Sequence, residues 1–185
     1  LTTFTPIINN LKFNQMEEIT TKKYMLEYGT WTGIILVCFS IMLFFLEAHY
    51  ENSTSTQIIN ALIQFSGITI ACLAYKKANS SKISWGETRK IGSGVSLIIA
   101  IIAVIYTYLL INVIEPGYMD KVLEISYYET LEKYPEALAN MDLNQYIETA
   151  KPYTWFTYPA ILFMTILFGF IYSLILGFFI KTNNA

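Results

Sequence analysis

Charge is scarce in this chain of 185 residues: Asp, Glu, Lys and Arg together make up 14%, well under the roughly one quarter usual in soluble domains. That scarcity excludes an ordinary soluble bundle, whose helices need polar faces that several segments here lack. The net charge of −2 leaves no basic surplus for a nucleic-acid partner. There are two cysteines, Cys38 and Cys72, each inside an apolar run and neither in a C-x-x-C or Cys/His spacing. Both read as small packing residues rather than as a disulfide or a metal site. Histidine occurs once, at His49. No H-E-x-x-H, G-x-S-x-G or Walker-type loop is present, so no catalytic residue, cofactor or metal is assigned. No secretory signal peptide is visible in Leu1–Gln15, which carries one basic residue, Lys12, and no apolar core or cleavage site. Met16-Glu17-Glu18 reads as a natural start, or Leu1 as an alternative start codon, and residues 1–15 are expected to be poorly ordered.

What is abundant is apolar sequence, 54% of the chain with 16% aromatic, and it comes in blocks. A transmembrane helix needs about 20 mostly apolar residues, and four stretches qualify: 28–47, 58–75, 91–114 and 156–180. The second is the shortest and most polar, and a buried or re-entrant helix is its competing reading. The expected fold is an all-α integral membrane protein of four spans, with a helical extracytoplasmic loop, 115–152, between spans three and four.

Orientation comes from lysine and arginine in the short loops. Lys12, Lys22 and Lys23 precede span one; Lys76, Lys77, Lys82, Arg89 and Lys90 lie between spans two and three; Lys181 is at the end of span four. A four-span path puts all of them on one side, which is therefore expected to be cytoplasmic, with the N-terminal segment 1–27 and the tail 182–185. The other side holds Glu51, Glu115, Asp120, Glu124, Glu129, Glu132, Glu136, Asp142 and Glu148, with Lys121, Lys133 and Lys151. Tyr24, Tyr28, Trp31, Tyr75 and Trp85 would form one interfacial belt, and Tyr50, Tyr118, Tyr153, Trp155 and Tyr158 the other.

In the outer loop Glu115-Pro116-Gly117 stops span three. Val122, Ile125, Tyr128 (or Glu129) and Leu131 or Glu132 then recur at helical spacing, an amphipathic but imperfect face. Pro135 interrupts, and a second short helix is expected over 136–150 with Asp142 as a cap. Both helices are expected on or near the membrane surface.

Helices in lipid associate through small residues that let backbones approach. Gly169, Ser173 and Gly177 form such a seam on span four, Gly92, Ser96 and Ala100 on span three, and Gly29 and Gly33 on span one. Asn60 and Gln64, one turn apart on span two, should point into the bundle or at another subunit, as structural hydrogen bonds or as a polar substrate site. Gly92-Ser93-Gly94 beside Arg89 and Lys90 reads as a helix start facing anionic headgroups. Ionisable groups in a span are functional candidates, but the deep core of every span lacks them. Glu47 and His49 end span one and Glu115 ends span three. If those spans are neighbours, the pair could meet Glu115 and Asp120 and bind a cation or handle a proton; a plain headgroup location is the simpler reading.

Ile83-Ser84-Trp85-Gly86-Glu87, Lys90-Ile91-Gly92-Ser93-Gly94, Val113-Ile114-Glu115-Pro116-Gly117-Tyr118-Met119 and the closing Gly169–Lys181 resemble a bacterial membrane family, the domain-of-unknown-function family 4199 of Bacteroidetes. Trp85 stands where the family pattern has Phe, and Glu115 where it has Asp. The resemblance implies four spans and an inner-membrane home, and no activity. Three functions are weighed. The first is a non-enzymatic accessory or scaffolding subunit whose partners are lipids and either another protein or further copies of itself. The second is a small oligomeric transporter or channel using Asn60, Gln64, Tyr106 and Asn112 as a polar path. The third is a lipid-handling protein, or a lipid-processing enzyme using outer carboxylates. The first is favoured, because catalytic motifs and deep charges are lacking.

Overall fold

The computed structural model describes residues 20–50 and 53–182; the readings placed on residues 1–15, Lys12, Glu51 and the tail beyond Thr182 fall outside them. Among the described residues there are helices and no strand. The helices are α1 (Thr21–Phe45), α2 (Thr54–Ala78), α3 (Trp85–Leu109), α4 (Tyr118–Lys133), α5 (Leu143–Ala150) and α6 (Thr157–Ile180). A π turn, Leu110–Ile114, prolongs α3, and 3-10 turns occupy Pro135–Leu138 and Lys151–Phe156. Helices α1, α2, α3 with its π turn, and α6 are each long and apolar enough to cross a membrane. The 25 residues of α1 extend about 37 Å at ~1.5 Å per residue, against a hydrocarbon core about 30 Å thick.

Local chemistry sets the ends. The Ser53 hydroxyl accepts from the Thr56 N–H at the start of α2. Ser84 and Glu87 form a reciprocal capping box that starts α3. Helix α1 closes with Glu47 N–H on the Phe44 carbonyl and Ala48 N–H on the Leu43 carbonyl, while Glu47 takes a left-handed φ of 57°. This is the Schellman pattern, here with Glu in the usual glycine position.

Several expectations change. Span one begins at Thr21 and ends at Phe45 rather than running 28–47. Span three begins at Trp85 rather than 91, because its cap lies seven residues earlier than its apolar run. Gly92-Ser93-Gly94 is therefore not a helix start: Gly92 is buried against Ser173 of α6. Tyr75 is 4% exposed, stacks edge-on against Tyr24 and hydrogen-bonds Glu87, so it is a core residue and not part of an interfacial belt. The outer loop does not hold one helix over 136–150. Asp142 and Gln145 make their own capping box and start α5 afresh at Leu143. Tyr128 and Leu131 point outward, 54% and 39% exposed; α4 instead meets α5 through Ser126 and Tyr127, which contact Tyr146.

Helix α3 is the hub, packed on α1, α2 and α6. The small-residue seams of α3 and α6 face each other. A Cβ at Gly169 would overlap Ser96, and one at Gly92 would overlap Ser173. Gly29 and Gly33 of α1 rest against Ile98 and Ile102 of α3, and Gly177 against the Trp85 ring. These contacts run from mid-span to the lysine-rich end of the bundle. So does the core: Ile68, Ala71, Cys72 and Tyr75 of α2, Ile91, Val95 and Ile99 of α3, Leu176 of α6, and Ile83 before α3. The chain end is tied in at the same place. Lys76 Nζ donates to the Ile180 carbonyl, Thr182 N–H to the Ile83 carbonyl, and the Trp85 indole N–H to the Leu174 carbonyl. Toward the acidic end, by contrast, only Leu110 and Leu138 are buried apolar side chains among the described residues. The bundle is closed at one end and splayed at the other.

Candidate functional site

The splay leaves a cavity of about 430 Å³ between α1, α2, α3 and α6. Leu36, Val37, Leu43, Ile99, Leu110 and Ile161 supply its apolar wall. Its polar wall comprises Ser40 of α1, Thr56 and Asn60 of α2, Tyr106 and Thr107 of α3, and Thr157 of α6; His49, Tyr50 and Tyr118 stand at the outer rim. One turn below Asn60 lies a hydrogen-bonded layer. The Gln64 amide donates to the Thr165 carbonyl at 3.0 Å and the Ser96 hydroxyl at 3.3 Å, which ties α2 to both α6 and α3.

Glu115 organises the rim. It lies at the end of the π turn, its N–H bonded to the Leu110 carbonyl. A π turn inserts one residue into the α register and so rotates the residues after it about the helix axis; here it presents the carboxylate to the segment after α1. Three side chains donate to it: the Tyr50 hydroxyl, His49 Nε2 at 3.1 Å and Lys121 Nζ at 3.2 Å. Lys121 also donates to the Tyr50 oxygen at 2.8 Å. The rings of Phe44, His49, Tyr50 and Tyr118 stack into one cluster. The Tyr50 hydroxyl bond, aided by His49 and Lys121, holds the Glu115 carboxyl below its ordinary range against the opposing effect of burial. Burial pushes Tyr50 up, and the bond to Glu115 adds to it. The bonds to Tyr50 and Glu115 raise Lys121. The carboxylate, the ammonium and the neutral phenol are thus each favoured in the form the cluster uses.

The structure therefore brings together His49 and Glu115, as neighbouring spans one and three allow, and leaves the other two ionisable candidates out. Glu47 is exposed at its helix end, where the left-handed backbone turns it away from the rim. Asp120 pairs instead with Lys151 at 2.7 Å. Asn60 and Gln64 share a face but not a role, since the Gln64 Nε2 is bonded to α3 and α6 while Asn60 lines the cavity. Asn112 lies on the outside, bonded to the Tyr108 carbonyl and the Tyr158 hydroxyl, so the polar path of Asn60, Gln64, Tyr106 and Asn112 is not continuous. Gly169, Ser173 and Gly177 sit in the α3–α6 contact, away from the cavity. Tyr50 and Lys121 are rim residues that sequence reasoning does not single out as a site. The signal available is weak: an aromatic beside the lone histidine, and a lysine one and a half turns beyond a carboxylate at a helix end. Among the described residues no three His, Cys, Asp or Glu side chains gather as a metal site would require.

The sequence model of a family described as protein of unknown function (DUF4199) matches residues 27–182. No curated protein and no solved structure matches the chain.

Proposed function

The chain belongs to the DUF4199 family, and on that premise we propose that it is a non-enzymatic four-span membrane protein that binds a lipid or similar amphiphile in the cleft at its splayed end. The observation that carries this reading is the cavity itself. Its 430 Å³ falls within the range of about 300–1,000 Å³ common for ligand clefts, and it combines an apolar wall with a few convergent polar groups. On this reading the membrane is a bacterial inner membrane, as the family resemblance implies, and the positive-inside rule supports a cytoplasmic lysine-rich end, with the cleft toward the outer leaflet. The non-enzymatic part rests on Glu115. Its oxygens are occupied by three donors and its proton affinity is lowered, opposite to the tuning that a general acid or base needs near neutral pH.

Native mass spectrometry after mild extraction tests the proposal. The wild-type protein is expected to carry one lipid-sized adduct per chain, and Ala103→Trp, which fills the cavity wall, to lose it while remaining inserted. A stoichiometric protein partner with no adduct at all would replace this reading with that of an accessory subunit.

A further inference from the structure

We infer that the cleft selects a neutral lipid bearing a hydroxyl head, held by Asn60, Tyr106 and His49; this rests on the cleft being a lipid site. The polar side chains of the wall are not equally engaged. Ser40 donates to the Leu36 carbonyl, and Thr56 is bonded to Ser53. Asn60 and Tyr106 line the same cavity from α2 and α3, and among the described residues neither side chain makes a hydrogen bond. An amide and a phenol inside a bilayer require partners, and here the partner must come from the cavity's contents.

His49 adds an independent observation. Its side chain is 9% exposed, it belongs to the cavity wall, and its Nδ1 has no hydrogen-bond partner. Nε2 faces the Glu115 carboxylate, so in the neutral ring the proton sits on Nε2 and Nδ1 is an acceptor. Thr107 and Thr157 of the same wall likewise make no side-chain hydrogen bond among the described residues, so an amide, a phenol, two hydroxyls and an imidazole nitrogen face the cavity unpaired, a set that suits a head that both donates and accepts, as a hydroxyl does. A quinone or ester carbonyl accepts only. A phosphate is disfavoured by charge: among the described residues no lysine or arginine lines the cavity, and Lys121 at the rim is already bonded to Glu115 and Tyr50. An anionic head there would be buried without a counter-charge. The aliphatic side chains that also line the cavity accommodate the start of the acyl chain.

The test is native mass spectrometry of the full chain in micelles doped with equal amounts of dioleoylglycerol, a long-chain quinone or dioleoylphosphatidylglycerol. The expected result is a one-to-one dioleoylglycerol adduct at least tenfold more abundant than the other two. Tyr106→Phe and Asn60→Leu should each lower it about tenfold without lowering the melting temperature, and Ala103→Trp should abolish it. Preference for the quinone or the anionic lipid, or a dioleoylglycerol adduct unchanged in Tyr106→Phe, would overturn the hydroxyl assignment while leaving the lipid cleft standing. No lipid adduct of any kind, with Tyr106→Phe and Asn60→Leu both raising the melting temperature, would mean a water-filled cavity and would overturn both readings.

Discussion

At the scale of single residues the rim is decided by one carboxylate with three donors. A hydrogen bond to a charged, partly buried group contributes more than a neutral one, roughly 1.5–3 kcal/mol, and Glu115 is 18% exposed. Replacing Glu115 with Gln keeps the shape, removes the charge and leaves Lys121 and His49 short of an acceptor, so a loss of about 1–3 kcal/mol at neutral pH is expected, read as a lower unfolding midpoint in detergent. The wild type should also have an acid limb that the variant lacks. The folded Glu115 pKa lies below its ordinary value of 4.5. Its contribution is therefore complete above that value and is lost as pH falls through it toward the folded pKa. An acid limb of equal size in wild type and Glu115→Gln would place the charge dependence elsewhere. The meeting of His49 with Glu115 was legible as one option, since each ends an apolar run on the same side. The exclusion of Glu47 and Asp120 was not legible. It depends on a left-handed backbone angle at one and on a lysine 31 positions along the chain at the other (Lys151 against Asp120).

At the scale of elements the small-residue seams are the strongest constraint. Gly169 and Ser96 approach so closely that any Cβ at 169 collides, whereas nothing lies within 4 Å of a Cβ built at Gly117. Gly169→Leu should therefore separate α3 from α6, with a cost of at least the roughly 1–3 kcal/mol typical of overpacking, while Gly117→Ala should be nearly silent. Equal melting temperatures for the two variants would refute the seam. The seams were readable because spacing of four on a helix fixes a face without knowledge of the partner. Their pairing with each other was not readable. The start of α3 at Ser84 was present in the sequence as S-x-x-E, but an apolar-run criterion places the boundary at 91 because Gly86, Glu87, Arg89 and Lys90 are not apolar.

At the scale of the whole molecule the asymmetry between the two ends matters most. Gly67 of α2 against Thr32 of α1 at mid-span, with the α3–α6 seam running from mid-span toward the lysine-rich end, draws the four spans together. Beyond Ala100 and before Gly169 the helices enclose the cavity, lined by small residues such as Ala103, Thr107 and Thr157 together with Tyr106 and Ile161. Orientation is the prediction that belongs here. In a Cys38→Ser background, a cysteine at Glu129 should react with a membrane-impermeant maleimide on intact cells, and one at Ser80 only after permeabilisation. The reverse pattern would put the cleft on the cytoplasmic side.

Composition and the spacing of apolar blocks by themselves determined that this chain is helical, crosses a membrane four times and carries its excess of lysine on one side, because a bilayer demands long apolar helices whatever they pack against. They also determined which faces can come close. Only the tertiary structure decided that the close contacts run from mid-span to one end, that a cavity opens toward the other, and that Asn60, Tyr106 and His49 share it. Those facts depend on how four helices from distant parts of the chain lean on one another, and the angle of a packed helix is set by the side chains of its neighbours rather than by its own sequence.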